Sequence, residues 1–219
     1  RLAVAGSVTG TEIEEAADTA YLVLSDAPES FPLTLPAAIH EGRAVYLADA
    51  APRPYVTSFE ILSPAGIGWH REMLQPLDVD GPGLSDVLLY RPTGLAEPEA
   101  LLEATALMLG TTALDGSGEV GLYWELYGAS ADEPIEYEIQ IEDEEDGGFI
   151  DRLRRIFVGG SEEGGVTLGW TEPAGGPISP RAIILDLENV PEGEYSVILR
   201  AAWGNGQQFE TRRRITVLR

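Results

Sequence analysis

The chain has 219 residues, 44% of them hydrophobic, enough to bury one large core or two ordinary ones, so disorder is not expected. Its 37 acidic residues outweigh 14 basic ones to give a formal net charge of -23, which repels phosphate backbones and anionic surfaces and excludes nucleic acid as an expected partner. Cysteine is absent, which rules out disulfides, thiolate nucleophiles and Cys-ligated metals, and no apolar run approaches the roughly 18 residues that a membrane-spanning helix needs.

Every basic residue is Arg, a bias given no functional weight, and His40 and His70 are the only imidazoles. The chain begins at Arg1 and not at Met, so a processed piece of a longer product is expected; a removed signal peptide fits.

From Arg1 to Gly10 small and β-branched residues predict an edge strand, weakened by two glycines. Thr19 to Ser25 alternates Leu22 and Leu24 with Tyr21 and Val23 before the turn cluster Asp26-Ala-Pro-Glu-Ser. Arg43 to Ala48, Tyr55 to Leu62, Ile67 to Leu74 and Leu84 to Tyr90 follow as consecutive antiparallel strands, the last two separated by the turn Asp78-Val-Asp-Gly-Pro-Gly83. Glu97 to Ala106 has good helix formers, Pro98 in a permissible first turn and carboxylates at the positive end, so a short helix is predicted as a joint. Leu107 to Leu114 is expected to lead onward past Asp115-Gly-Ser-Gly118.

The clearest strand is Val120 to Tyr127. Val120, Leu122, Trp124 and Leu126 lie on one face, with Tyr123, Glu125 and Tyr127 on the other. Ile135, Tyr137, Ile139 and Ile141 then alternate with Glu136, Glu138, Gln140 and Glu142, the pattern of a sheet with one wet face. Strands around Leu168, Leu185, Val197 and Phe209 to Leu218 complete a second block. Within it, Asn189-Val-Pro-Glu-Gly-Glu-Tyr195 sets Tyr195 at the start of a strand just after a turn, the position of a tyrosine corner.

The expected fold is all-β: two consecutive antiparallel β-sandwich domains of immunoglobulin or fibronectin type joined by a short helix-containing linker. The first spans residues 1–92, the linker 93–111 and the second sandwich 112–219.

The blocks Leu84-Ser-Asp-Val-Leu-Leu-Tyr90, Gly121-Leu-Tyr-Trp-Glu-Leu-Tyr-Gly128 and Val190-Pro-Glu-Gly-Glu-Tyr195 together resemble the C-terminal tandem β region of uncharacterised bacterial exported proteins. Some of those proteins carry a GWxTD domain upstream, a motif missing from this chain. The resemblance implies an exported, multi-domain context and carries over no catalytic residues.

Candidate chemistry is sparse. Asp78, Asp80 and Asp86 have offsets that suggest a calcium loop, but no third loop Asp or bidentate Glu follows and Pro82 intrudes, so a solvated turn is the favoured reading and calcium the one cofactor considered. The run Glu142-Asp-Glu-Glu-Asp146 is expected to be offset by Arg152, Arg154, Arg155 and Arg212 to Arg214 as surface ion pairs; an anion-binding groove is the sharper alternative. Ser85, Asp86 and His70 lack the spacing of a hydrolase triad, and Trp69-His70 reads as a core aromatic beside an exposed imidazole. Glu125 opposite Glu138 would evoke a glycosidase pair, although alternating surface Glu explains both. Tyr123 and Tyr127, if exposed, form a platform for sugar rings or a protein; packing is the favoured reading.

The expected function is therefore a non-catalytic structural or protein-interaction module, exported to the periplasm, cell surface or outside, with a protein partner or self-assembly. The alternatives are a carbohydrate- or calcium-dependent binding module, or an enzyme of unrecognised type, which would need a pocket at the domain junction near the Glu97 to Leu107 helix.

Overall fold

The computed structural model describes residues 2–7, 19–26, 32–39, 42–50, 53–64, 66–74, 81–94, 96–144 and 166–219. Among the described residues the structure is all-β apart from one short helix, and the chain forms two compact units, Arg1–Asp78 with Met108–Thr111, and Val79–Leu107 with Thr112–Arg219.

The first unit contains β1 (Leu2–Ser7), β2 (Thr19–Ser25), β3 (Leu33–Ala38), β4 (Arg43–Ala48), β5 (Tyr55–Ser63) and β6 (Gly66–Leu74). β1 pairs with β4, while the other strands form an antiparallel sheet in the order β3-β2-β5-β6. Period-two burial builds the core between them: Ala20, Leu22 and Leu24 of β2 meet Ala44 and Tyr46 of β4 and Tyr55 and Ile61 of β5. The Tyr46 ring packs edge-on against Phe59 at 6.1 Å.

Two expectations are corrected here. The strands do not pair consecutively: β3 and β5 occupy both edges of β2, so β4 leaves this sheet and pairs with β1. Pro36 hid β3 in the sequence, because proline demotes a strand; β3 is an edge strand, where proline is tolerated. Trp69 is not a core aromatic. Its register opposite Glu60 puts it on the face away from Leu22 and Ile61, 63% exposed, while His70 is exposed as expected.

The second unit contains β7 (Gly83–Leu84), β8 (Leu88–Tyr90), α1 (Leu101–Leu107), β9 (Ala113–Asp115), β10 (Glu119–Tyr127), β11 (Pro134–Asp143), β12 (Val166–Pro173), β13 (Ile178–Asp186), β14 (Gly193–Trp203) and β15 (Gln208–Leu218). One sheet has the order β13-β10-β7, with β8 pairing farther along β10. The other runs β12-β11-β14-β15-β9, antiparallel except that β9 joins β15 in parallel. Val120, Leu122, Trp124 and Leu126 face Ile135, Tyr137, Ile139, Ile141, Val197 and Leu199 across an immunoglobulin-like sandwich. Burial of each such side chain is worth about 1.5–3 kcal/mol.

The domain boundary shifts accordingly. Residues 79–92 were expected in the first domain, but β7 and β8 hydrogen-bond to β10 and belong to the second unit. The segment expected as a linker is divided, α1 lying in the second unit and Met108–Thr111 in the first, where the Arg43 guanidinium donates to the Met108 carbonyl at 2.5 Å. β7 and β8 are one strand interrupted at Ser85, whose hydroxyl accepts the Glu125 amide at 2.8 Å in place of a backbone carbonyl.

Candidate functional site

Tyr123 and Tyr127 of β10 pack, the favoured reading, and do not form the open platform that was its alternative. Tyr123 is fully buried and Tyr127 half-buried, and both hydroxyls donate to the Glu125 carboxylate, Tyr123 to Oε1 at 2.8 Å and Tyr127 to Oε2. Burial, followed by these bonds to an anion, raises both phenols well above the ordinary tyrosine value. Glu125 is 8% exposed, and its oxygens are engaged by the two phenols. Packing therefore wins over sugar stacking on this face.

Glu125 and Glu138 are not a pair either. β10 and β11 belong to opposite sheets, and Glu138 accepts from Arg200 at 2.5 Å, with Gln140 and Glu210 completing that cluster. Asp86 is exposed and accepts from the Thr211 hydroxyl at 3.1 Å, whereas Asp78 and Asp80 lie outside the described residues. Among the described residues no group of three His, Asp or Glu could hold a metal ion. Ser85 is committed to its neighbours, donating to the Asp86 carbonyl and accepting from Glu125, while His70 belongs to the other unit.

Two of the three arginines of the last strand reach carboxylates, Arg212 pairing with Glu142 at 3.6 Å and Arg214 with Glu144 at 3.7 Å, whereas the Arg213 Nε is buried without a hydrogen-bond partner among the described residues. Both paired arginines are at least half exposed or nearly so, which places these pairs in the range of about 0–1 kcal/mol. Arg152, Arg154 and Arg155 lie outside the described residues.

Two features were missed by the sequence reading. The first is the outer face of the β3-β2-β5-β6 sheet, where Val56 and Leu62 of β5 stand opposite Met73 and Ile67 of β6, with Trp69 between them. Ile67, Trp69 and Met73 are 68%, 63% and 66% exposed. Arg71 lies over the Trp69 ring at 4.9 Å, pairs with Glu60 at 3.6 Å and donates to Ser58, so the polar groups of this face neutralise one another. Strict alternation placed these residues on one face; nothing in the pattern said which face was covered.

The second is a groove of about 830 Å³ in the second unit, lined by residues 96–99, Trp124, Trp170, Glu172 and residues 180–183. Its aromatic wall is built by register: Trp170 of β12 sits opposite Tyr137 of β11, stacking at 5.1 Å, and Trp124 of β10 touches both at 6.0 and 6.2 Å. Arg181 closes one side, bonded to the Glu172 carboxylate and to the carbonyls of Pro173, Ala174 and Pro180. Burial pushes the Tyr137 phenol up to about 12, with Arg181 pulling it down and Glu172 adding to the rise.

No family model matches the chain, and no curated protein matches it. Among solved structures it is similar to a tetra-tandem repeat in the extending region of a large adhesion protein, at 9% identity and a TM-score of 0.33, covering 99% of this chain and 49% of that one. The FN1–FN3 domains of chicken CNTN1 match at 12% identity and a TM-score of 0.32, over 97% of this chain and 60% of theirs. E. coli alpha-2-macroglobulin in its native conformation matches at 11% identity and a TM-score of 0.33, over 99% of this chain and 13% of that one. The chain thus spans about half the length of the first of these, three fifths of the second and an eighth of the third.

Proposed function

We propose that this chain is a non-catalytic, exported protein-interaction module of a larger multi-domain protein, which associates with a second copy of itself through the outer face of the β3-β2-β5-β6 sheet. The observation that carries this reading is the exposed row Val56, Leu62, Ile67, Trp69 and Met73. Contiguous apolar surface of this kind is rare on proteins that remain alone and marks contact sites. The resemblance of the β blocks to exported bacterial proteins supports the exported, multi-domain context.

A second copy fits because of charge and size. The chain as a whole carries -23, yet this face holds a matched Glu60 and Arg71, so two copies meet here without opposing like charges. Four strands about 4.8 Å apart and roughly 30 Å long give a footprint on the order of 600 Å², approaching the roughly 800 Å² per partner of a standard interface. β6 also ends its sheet, so its backbone edge, unpaired among the described residues, can meet its own copy in an isologous antiparallel pairing.

Sedimentation velocity over a concentration series tests this. Dimers are expected, and added salt should strengthen them by screening the net repulsion. Trp69→Glu and Met73→Glu should leave monomers with unchanged β-type circular dichroism. A chain that stays monomeric at every concentration and salt level, or a dimer indifferent to both substitutions, would refute the reading.

A further inference from the structure

The aromatic groove of the second unit has the chemistry of a binding site. Its two long sides come from β12 and β13, each the terminal strand of its own sheet among the described residues, so the groove runs between the two sheet edges. Residues 180 and 182 of β13 pair across from Glu125 and Tyr123 on the outer face, while 181 and 183 pair across from Trp124 and Leu122 on the inner one. The groove takes in both sets and therefore wraps over the backbone edge of β13.

Two polar groups beside it are unanswered. The Trp124 indole N–H and the Tyr137 hydroxyl are buried and have no hydrogen-bond partner among the described residues, although the side chains are 0% and 2% exposed. Buried donors left in this condition cost stability and call for an acceptor. The rim has the opposite character. Glu97 and Glu99 are exposed carboxylates with no ion pair among the described residues, and ionised carboxylates only accept hydrogen bonds. Arg181 does not offset them, since four of the five N–H donors of a guanidinium are already engaged by Glu172 and three carbonyls.

We infer that this groove binds an arginine- or lysine-bearing segment of a partner polypeptide, the cationic side chain against Trp170 and between Glu97 and Glu99, the main chain along the edge of β13. This goes beyond the self-association proposed above, since it concerns another surface and another partner. A flat, donor-only cation answers an acceptor-only rim and an indole wall at once. The backbone edge of β13, unpaired among the described residues, recognises a backbone and not a sugar ring. Pro180 removes one donor from that edge, which lowers its tendency to pair with any strand and leaves selection to the side-chain pocket. The net charge of -23 steers a cationic partner toward the chain.

The test is calorimetric titration of the whole chain with a capped Gly-Arg-Gly-Arg-Gly peptide, its twin with Glu in place of Arg, and a neutral gluco-oligosaccharide. The arginine peptide should bind, the other two should not, and affinity should fall as salt rises, opposite in sign to the self-association. Glu97→Gln and Glu99→Gln, on exposed positions that leave the core intact, should each weaken binding by roughly two- to fivefold. Trp170→Ala should weaken it by about tenfold, in line with a partly desolvated cation–π contact. No heat with the arginine peptide, equal binding of its acidic twin, binding of the sugar alone, or affinity indifferent to salt and to both Glu substitutions would each overturn the inference. A chain that stays monomeric in sedimentation would leave it standing.

Discussion

The Tyr195 hydroxyl donates to the Pro191 carbonyl at 2.9 Å, while its ring is buried at the start of β14. One bond thereby fixes the turn that brings the chain from one sheet to the other. Tyr195→Phe keeps the ring and removes the donor, leaving the Pro191 carbonyl to find water or nothing. A loss of about 1–2 kcal/mol is expected in urea unfolding, with the slope unchanged; no loss would mean that the corner holds without the bond. Glu125 shows the same economy differently. A carboxylate on an outward position of a strand is ordinarily solvated, but two tyrosines at i-2 and i+2 share its face and donate to both oxygens. The Tyr195 corner was legible because turn and strand adjoin in sequence. The Glu125 cluster was not, since its burial depends on what covers the face.

At the scale of elements, β10 organises the second unit through contacts on both faces. Its inner side carries Trp124 into the aromatic cluster, and its outer side has Gly121 beneath the Tyr90 ring of β8. A Cβ at Gly121 would lie 2.1 Å from the nearest atom of that ring, and Tyr90 is fully buried. Gly121→Ala should therefore cost about 1–3 kcal/mol by overpacking. Adding Tyr90→Leu should recover part of that cost in a double-mutant cycle, whereas additive losses would show that the two do not touch. The strand itself was readable from Val120, Leu122, Trp124 and Leu126, because alternation is local. What β10 pairs with was not: β7 and β8 precede the helix in sequence and were read with the strands before them, while their pairing runs past that helix to β10, from Tyr90 to Gly121 and from Gly83 to Tyr127. Likewise Trp69 sits in a well-formed strand whose period was plain, but period two leaves the choice of inner face open, and only the pairing of β5 with β6 decides it.

For the whole molecule, the decisive quantities are a net charge of -23 and a set of tyrosines sealed into both units. Tyr46, Tyr90, Tyr123, Tyr127, Tyr137 and Tyr195 all have phenols raised above the ordinary value, in each case first by burial. An unfolded tyrosine titrates at about 10. A group whose folded pKa is raised contributes stability that is complete below the unfolded value and is lost as pH climbs through the folded one. For Tyr90 and Tyr137, pushed up to about 12, that window opens near pH 10 and closes near pH 12. Ionising any of them also adds a negative charge to a chain that already repels itself, so the losses reinforce one another. The chain should therefore unfold steeply on the alkaline side, with the buried phenols ionising only as β-type circular dichroism disappears. Parallel titrations of tyrosinate absorbance and circular dichroism check this: two coincident transitions are expected, and a fold that persists unchanged while all the tyrosines ionise near pH 10 would contradict the burial on which both sandwiches rest.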